Sequence, residues 1–96
     1  MPQELTNAIS DFCEGLTYPF NINTTQFREG TLLIAILMLK HRVRMETVTQ
    51  NIIEVLLSIC PFGGRYIGVF VPKCTFQIKA YAEMMNQMLF QGQISL

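Results

Sequence analysis

A chain of 96 residues and 11.0 kDa has the size of one domain. Its residues are 50% hydrophobic and 15% charged, and Lys+Arg 7 balances Asp+Glu 7. This excludes intrinsic disorder, which needs a poverty of apolar surface, and argues against a nucleic-acid or anionic-membrane binder, which needs a basic excess.

In chain order, Leu5, Ala8, Ile9, Phe12, Cys13 and Leu16 recur at helical spacing, while Glu4, Asn7, Asp11 and Glu14 face away. Pro2 suits the first position of this helix and Gly15 its C-terminal cap. Residues 17–25 read as a polar-aromatic loop, with Pro19 blocking continuation of the helix. A second helix is expected over 26–44. Asn23 serves as its N-cap, Gln26 takes the third helical position, and Ile22 staples to Phe27. From 32 to 39 it is apolar on every face, which predicts a central, enclosed helix with Leu33 and Ile36 in the core.

A third helix begins at Thr47 or Thr49, the latter with a Val48–Ile53 staple. It leaves only Gln50, Glu54 and Ser58 as a polar stripe and stops before Pro61. Residues 62–72 are ambiguous. Their β-branched and aromatic side chains favour a short strand over 64–71, whereas three glycines and no partner strand favour an irregular or partly helical segment. A last helix over 74–90 sets Ile78, Tyr81, Met85, Met88 and Leu89 on one side, and Gly92 caps it. The expected fold is all-α: one domain over 1–96, a compact bundle of four to five helices around the central apolar one.

The three cysteines, Cys13, Cys60 and Cys74, are odd in number, far apart, and form no Cys-x-x-Cys pair. No cationic segment followed by an apolar one opens the chain, so the reading is reducing and cytoplasmic. The longest apolar run is the eight residues 32–39. As helix it reaches about 12 Å against a hydrocarbon core of roughly 30 Å, so it spans no membrane. A mean hydropathy of +0.31 in so small a chain predicts surplus apolar surface and hence a homo-oligomer.

Candidate chemistry is sparse. His41, the one histidine, lies in Lys40-His41-Arg42-Val43-Arg44. It can serve as an acid–base with cationic neighbours for an anionic substrate; the same cations also complement a helix C-terminus as solvated charges, the reading we favour. No conventional zinc site is expected from a single histidine with no nearby cysteine. Asp11 and Glu14 share a helical face that reads as solvated. Gly63-Gly64-Arg65-Tyr66 can present N–H groups and a guanidinium to an anion, but its spacing fits a turn better. Met84, Met85 and Met88 suit an adaptable face or, more simply, packing. The cysteines read as buried thiols.

Two stretches carry a resemblance. Asn21-Ile22-Asn23-Thr24-Thr25-Gln26-Phe27-Arg28-Glu29 with Leu32-Leu33-Ile34-Ala35 resembles the capped Arg-Glu helix of the carboxymuconolactone decarboxylase and alkylhydroperoxidase-D-like family. Val48-Thr49-Gln50-Asn51-Ile52-Ile53-Glu54-Val55-Leu56-Leu57, then Pro61-Phe62-Gly63-Gly64, is similar to its next helix and turn; together these cover 27 of 96 residues. The family's redox members carry a Cys-x-x-Cys with a nearby His. The nearest segment here, Met38-Leu39-Lys40-His41, has no thiol, so the resemblance does not imply a thiol peroxidase. It implies a metal- and cofactor-free decarboxylase- or isomerase-like lyase. In that reading Glu29 and His41 are catalytic, and Arg42, Arg44 and Arg65 hold a small carboxylate ligand. A non-catalytic helical assembly or protein-interaction module is the alternative, and the composition supports it directly.

Overall fold

The computed structural model describes residues 1–16, 24–59 and 64–96, with side chains described from residue 67 in the last stretch. These residues form helices α1 (Gln3–Glu14), α2 (Thr25–Lys40), α3 (Met45–Ile59) and α4 (Gly64–Phe90). Among them there is no strand, and no helix is long and apolar enough to cross a membrane. The all-α expectation holds. The helices pack as a four-cornered ring in which α2 and α3 each lie against both α1 and α4.

α1 follows its apolar periodicity: Leu5, Ala8, Ile9, Phe12 and Cys13 are buried. Pro2 stands one place before the first helical turn, and Gly15 closes the helix in a right-handed conformation (φ −76°). α2 starts one residue later than its capping pattern predicts. The Phe27 N–H donates to Thr24 Oγ1 at 3.2 Å, so Thr24 is the N-cap; Asn23 and Ile22 lie outside the described residues. The Gln26 side chain donates instead to the Gly15 carbonyl at 2.8 Å, tying α2 to the end of α1.

α2 ends at Lys40, not at Arg44. Val43 N–H bonds the Met38 carbonyl at 2.9 Å and Arg42 N–H the Leu39 carbonyl at 3.2 Å, the paired bonds of a Schellman ending. Arg42 takes the left-handed position (φ 54°) that glycine usually fills. Nothing in Lys40–Arg44 forbids helix, so sequence reasoning ran through it. Tertiary packing decides otherwise, because the turn lets Val48, Ile52 and Leu56 of α3 reach the core. α3 is therefore helical from Met45, and Thr47 and Thr49 lie inside it rather than capping it. Its stripe Gln50, Glu54 and Ser58 is exposed as expected.

α2 is not enclosed on every face by its own chain. Ile34, Ala35, Leu37 and Met38 are buried, but Leu33 is 47% exposed and Ile36 only partly covered. The second departure is larger: residues 64–71 are helix, and α4 runs 27 residues through Pro72. The β-like composition masked a helical stripe, since Ile67, Phe70, Val71, Cys74 and Ile78 are spaced for one face. Pro72 is tolerated because it sits exposed, as does Gly68, whose carbonyl loses its helical partner on the solvent side. Gly92 (φ 73°) ends α4 as predicted, with Gln93 N–H bonding the Met88 carbonyl at 2.9 Å.

Phe12, Phe27 and Phe70 meet at the centre, with ring centroids 5.8, 6.3 and 6.0 Å apart, and join α1, α2 and α4. Thr31 is fully buried and donates its hydroxyl to the Phe27 carbonyl at 2.8 Å.

Candidate functional site

The polar residues singled out by the sequence sit at opposite ends of α2. Glu29 is exposed in its second turn and His41 follows its last residue. Their positions are separated by about 18 Å of helix rise, so they do not share a hydrogen-bonding site. His41 meets α1 instead: its Nε2 lies 2.9 Å from Glu4 Oε2, and Lys40 Nζ donates to the same oxygen at 3.3 Å. The hydrogen bond from His41, then that from Lys40, holds the Glu4 carboxyl below its ordinary value of 4.5. Arg42 and Arg44 are exposed beyond this contact. Arg65 lies in the first turn of α4, and its side chain is outside the described residues, as is Gly63.

Among the described residues the thiols offer no nucleophile. Burial pushes Cys13 up to about 12, with the adjacent Glu14 adding to the shift, and burial raises Cys74 further. A thiol held that high is protonated at neutral pH, so both behave as small apolar core groups. Cys60 is outside the described residues. Among the described residues no three His, Cys, Asp or Glu side chains are grouped to hold a metal.

What sequence reasoning missed lies on α4. Ile78, Ala82 and Met85 face the core, with Tyr81 packed at its margin, while Met88 and Leu89 are half-buried and not part of it. On the opposite side Val69 is 62% exposed, Phe76 75% and Phe90 94%, with Met84 also exposed. The methionine cluster is thus divided, Met85 in the core and Met84 on the surface. Seven-residue steps from Val69 pass through Phe76, Glu83 and Phe90, a repeat that keeps one face of a helix in register. That spacing was legible in the sequence once 64–71 is read as helix.

Beside this face, α3 and α4 enclose an open groove of about 540 Å³ whose walls include Met45, Glu46, Pro72, Phe76 and Lys79. Its apolar walls come from Met45, Pro72 and Phe76, and its charges, Glu46 and Lys79, come one from each helix. Its lining offers apolar contact with one charge on each wall, and none of the lining residues is a buried nucleophile. No family model, curated protein or solved structure matches the chain, so the resemblance drawn above rests on its own residues.

Proposed function

We propose that this protein is a non-catalytic helical interaction module whose working surface is the outward face of α4. One observation carries this reading: the side of α4 turned away from the core presents Val69, Phe76, Met84 and Phe90 to solvent, set among the exposed polar residues Lys73, Lys79, Glu83 and Gln87. Isolated exposed apolar residues are ordinary, but four large ones on the outer side of one helix, from Val69 to Phe90, support an interaction surface with a mixed apolar and polar character. The lyase reading draws no comparable support, because it needs Glu29, His41 and an arginine around one substrate.

The test is the hydrodynamic mass of the tagged chain isolated gently from its own cells, against a Phe76→Glu/Phe90→Glu double variant. The wild type is expected to run well above 11.0 kDa, and the variant as an 11.0 kDa species with the same helical circular dichroism. If both run at 11.0 kDa, the face is not an interaction surface.

A further inference from the structure

The groove and Phe90, the most exposed aromatic among the described residues, lie on one edge of α4. Pro72, Lys79, Glu83 and Phe90 fall along a single row at seven- or four-residue steps, and Pro72 and Lys79 of that row line the groove with α3. Phe90 is 94% exposed at one end of this row, while the groove between Pro72 and Phe76 opens at the other. About 24 Å of helix rise separates the two. In a two-fold antiparallel pair of helices, the same edge of each copy meets the same edge of the other, with heights reversed.

We propose that the protein forms an antiparallel homodimer in which Phe90 of each copy fills the α3–α4 groove of the other. This rests on the reading of the α4 face as an interaction surface and names its occupant, a second copy of this chain.

The two contacts of this arrangement are compatible with one two-fold axis. Seating Phe90 between Pro72 and Phe76 of the partner copy puts the axis near residue 82. Pairing Lys79 with Glu83 of the partner copy puts it at residue 81, only about 1.5 Å away along the helix. One arrangement therefore accommodates both shape and charge, and each contact occurs twice. Area sets the expected strength. The α4 face alone, about 40 Å long and 10 Å wide, offers roughly 400 Å² per copy, half of the roughly 800 Å² of a standard interface. Inserting Phe90 adds the α3 wall of the groove, Met45 and Thr49, to the contact, so the pair is a weak, reversible one.

The charge pair supplies the test, by sedimentation equilibrium of the purified chain. The wild type should dimerise reversibly in the micromolar range, and Phe90→Asp should weaken the dimer at least a hundredfold. Lys79→Glu and Glu83→Lys should each weaken it at least fivefold, because every pair then places like charges together. An equimolar mixture of those two single variants should recover wild-type affinity or better, since both contacts of the heterodimer become attractive. Circular dichroism checks that each variant keeps its helices. The dimer is overturned if the mixture associates no better than either variant alone, or if Phe90→Asp dimerises like the wild type. It is also overturned by a purified wild type that stays at 11.0 kDa. If that monomeric chain still runs heavier when isolated from its cells, or binds phosphatidylcholine vesicles through Phe90, the α4 surface stands and only its occupant is wrong.

Discussion

A hydrogen atom is all that position 30 can present to Phe12. A Cβ built on Gly30 would overlap the edge of the Phe12 ring at Cδ1, and that ring is held in turn by Phe27 and Phe70. Gly30→Ala should therefore cost about 1–3 kcal/mol in denaturant melts, the range for overpacking a filled core, although alanine is the better helix former. One helix turn on, neighbouring apolar residues have opposite fates. Ile34 is fully buried, so Ile34→Ala should cost about 2–5 kcal/mol. Leu33 is half exposed, and in monomer melts Leu33→Ala should stay within about 0.5 kcal/mol. A large loss at Leu33 would mean that α2 is more enclosed than its exposure indicates.

The contact of Glu4 with His41 and Lys40 is also a residue-scale matter. A carboxyl held below its ordinary value favours the folded state above pH 4.5, and that contribution disappears as pH falls through the lowered value. The half-exposed setting of the pair at the surface keeps the contribution small. Titration followed by nuclear magnetic resonance should find Glu4 below 4.5, and His41→Gln should move it back upward. No movement would show that the hydrogen bond at 2.9 Å is not maintained in solution.

At the scale of elements, two helix boundaries were set against local preference. Arg42 occupies a left-handed conformation that costs a non-glycine residue roughly 1–2 kcal/mol, and it is kept there by the Schellman bonds and by α3 docking beyond it. Arg42→Gly should raise stability by about 1 kcal/mol, less whatever extra freedom glycine has in the unfolded chain. Unchanged or lower stability would place the favourable contribution in the Arg42 side chain itself. In α4, Pro72 interrupts the backbone ladder, yet Val71 and Phe70 before it and Cys74 after it bury on one side. Burial on both sides of the proline outweighs the lost hydrogen bond, so the helix continues.

Across the whole molecule the balance is between apolar content and the surface available to hide it. A chain that is 50% hydrophobic and only 18 Å across its shortest dimension has little interior. Four helices bury the aromatic centre and leave the second face of α4 outside. If that face pairs with itself, folding is linked to association and the melting temperature should rise with chain concentration. Phe90→Asp, at an exposed position, should remove that dependence while leaving the melt at low concentration unchanged. A wild-type melting temperature independent of concentration would mean that folding and association are not linked.

What the amino-acid order determined by itself was local: the apolar stripe of α1, the polar stripe of α3, the core side of α4 through Ile78, Tyr81 and Met85, and its Gly92 cap. These depend on spacing and on one residue's conformational freedom, both visible without knowing any neighbour. It also pointed to buried, unreactive thiols at Cys13 and Cys74, because neither has an acid–base partner nearby in sequence. Tertiary structure decided the rest. Whether residues 64–71 were strand or helix turned on where Ile67, Phe70 and Val71 found an apolar surface, and α1 and α2 supplied it through Phe12 and Phe27. That His41 lies far from Glu29 followed already from their twelve-residue separation on one helix, whereas its contact with Glu4 turned on the packing of α1 against α2, since only another element can bring a partner to a helix end. Which side of α4 would be left to solvent was decided in the same way: the spacing of Val69, Phe76 and Phe90 is in the sequence, but their exposure follows only once the other helices have taken the opposite side.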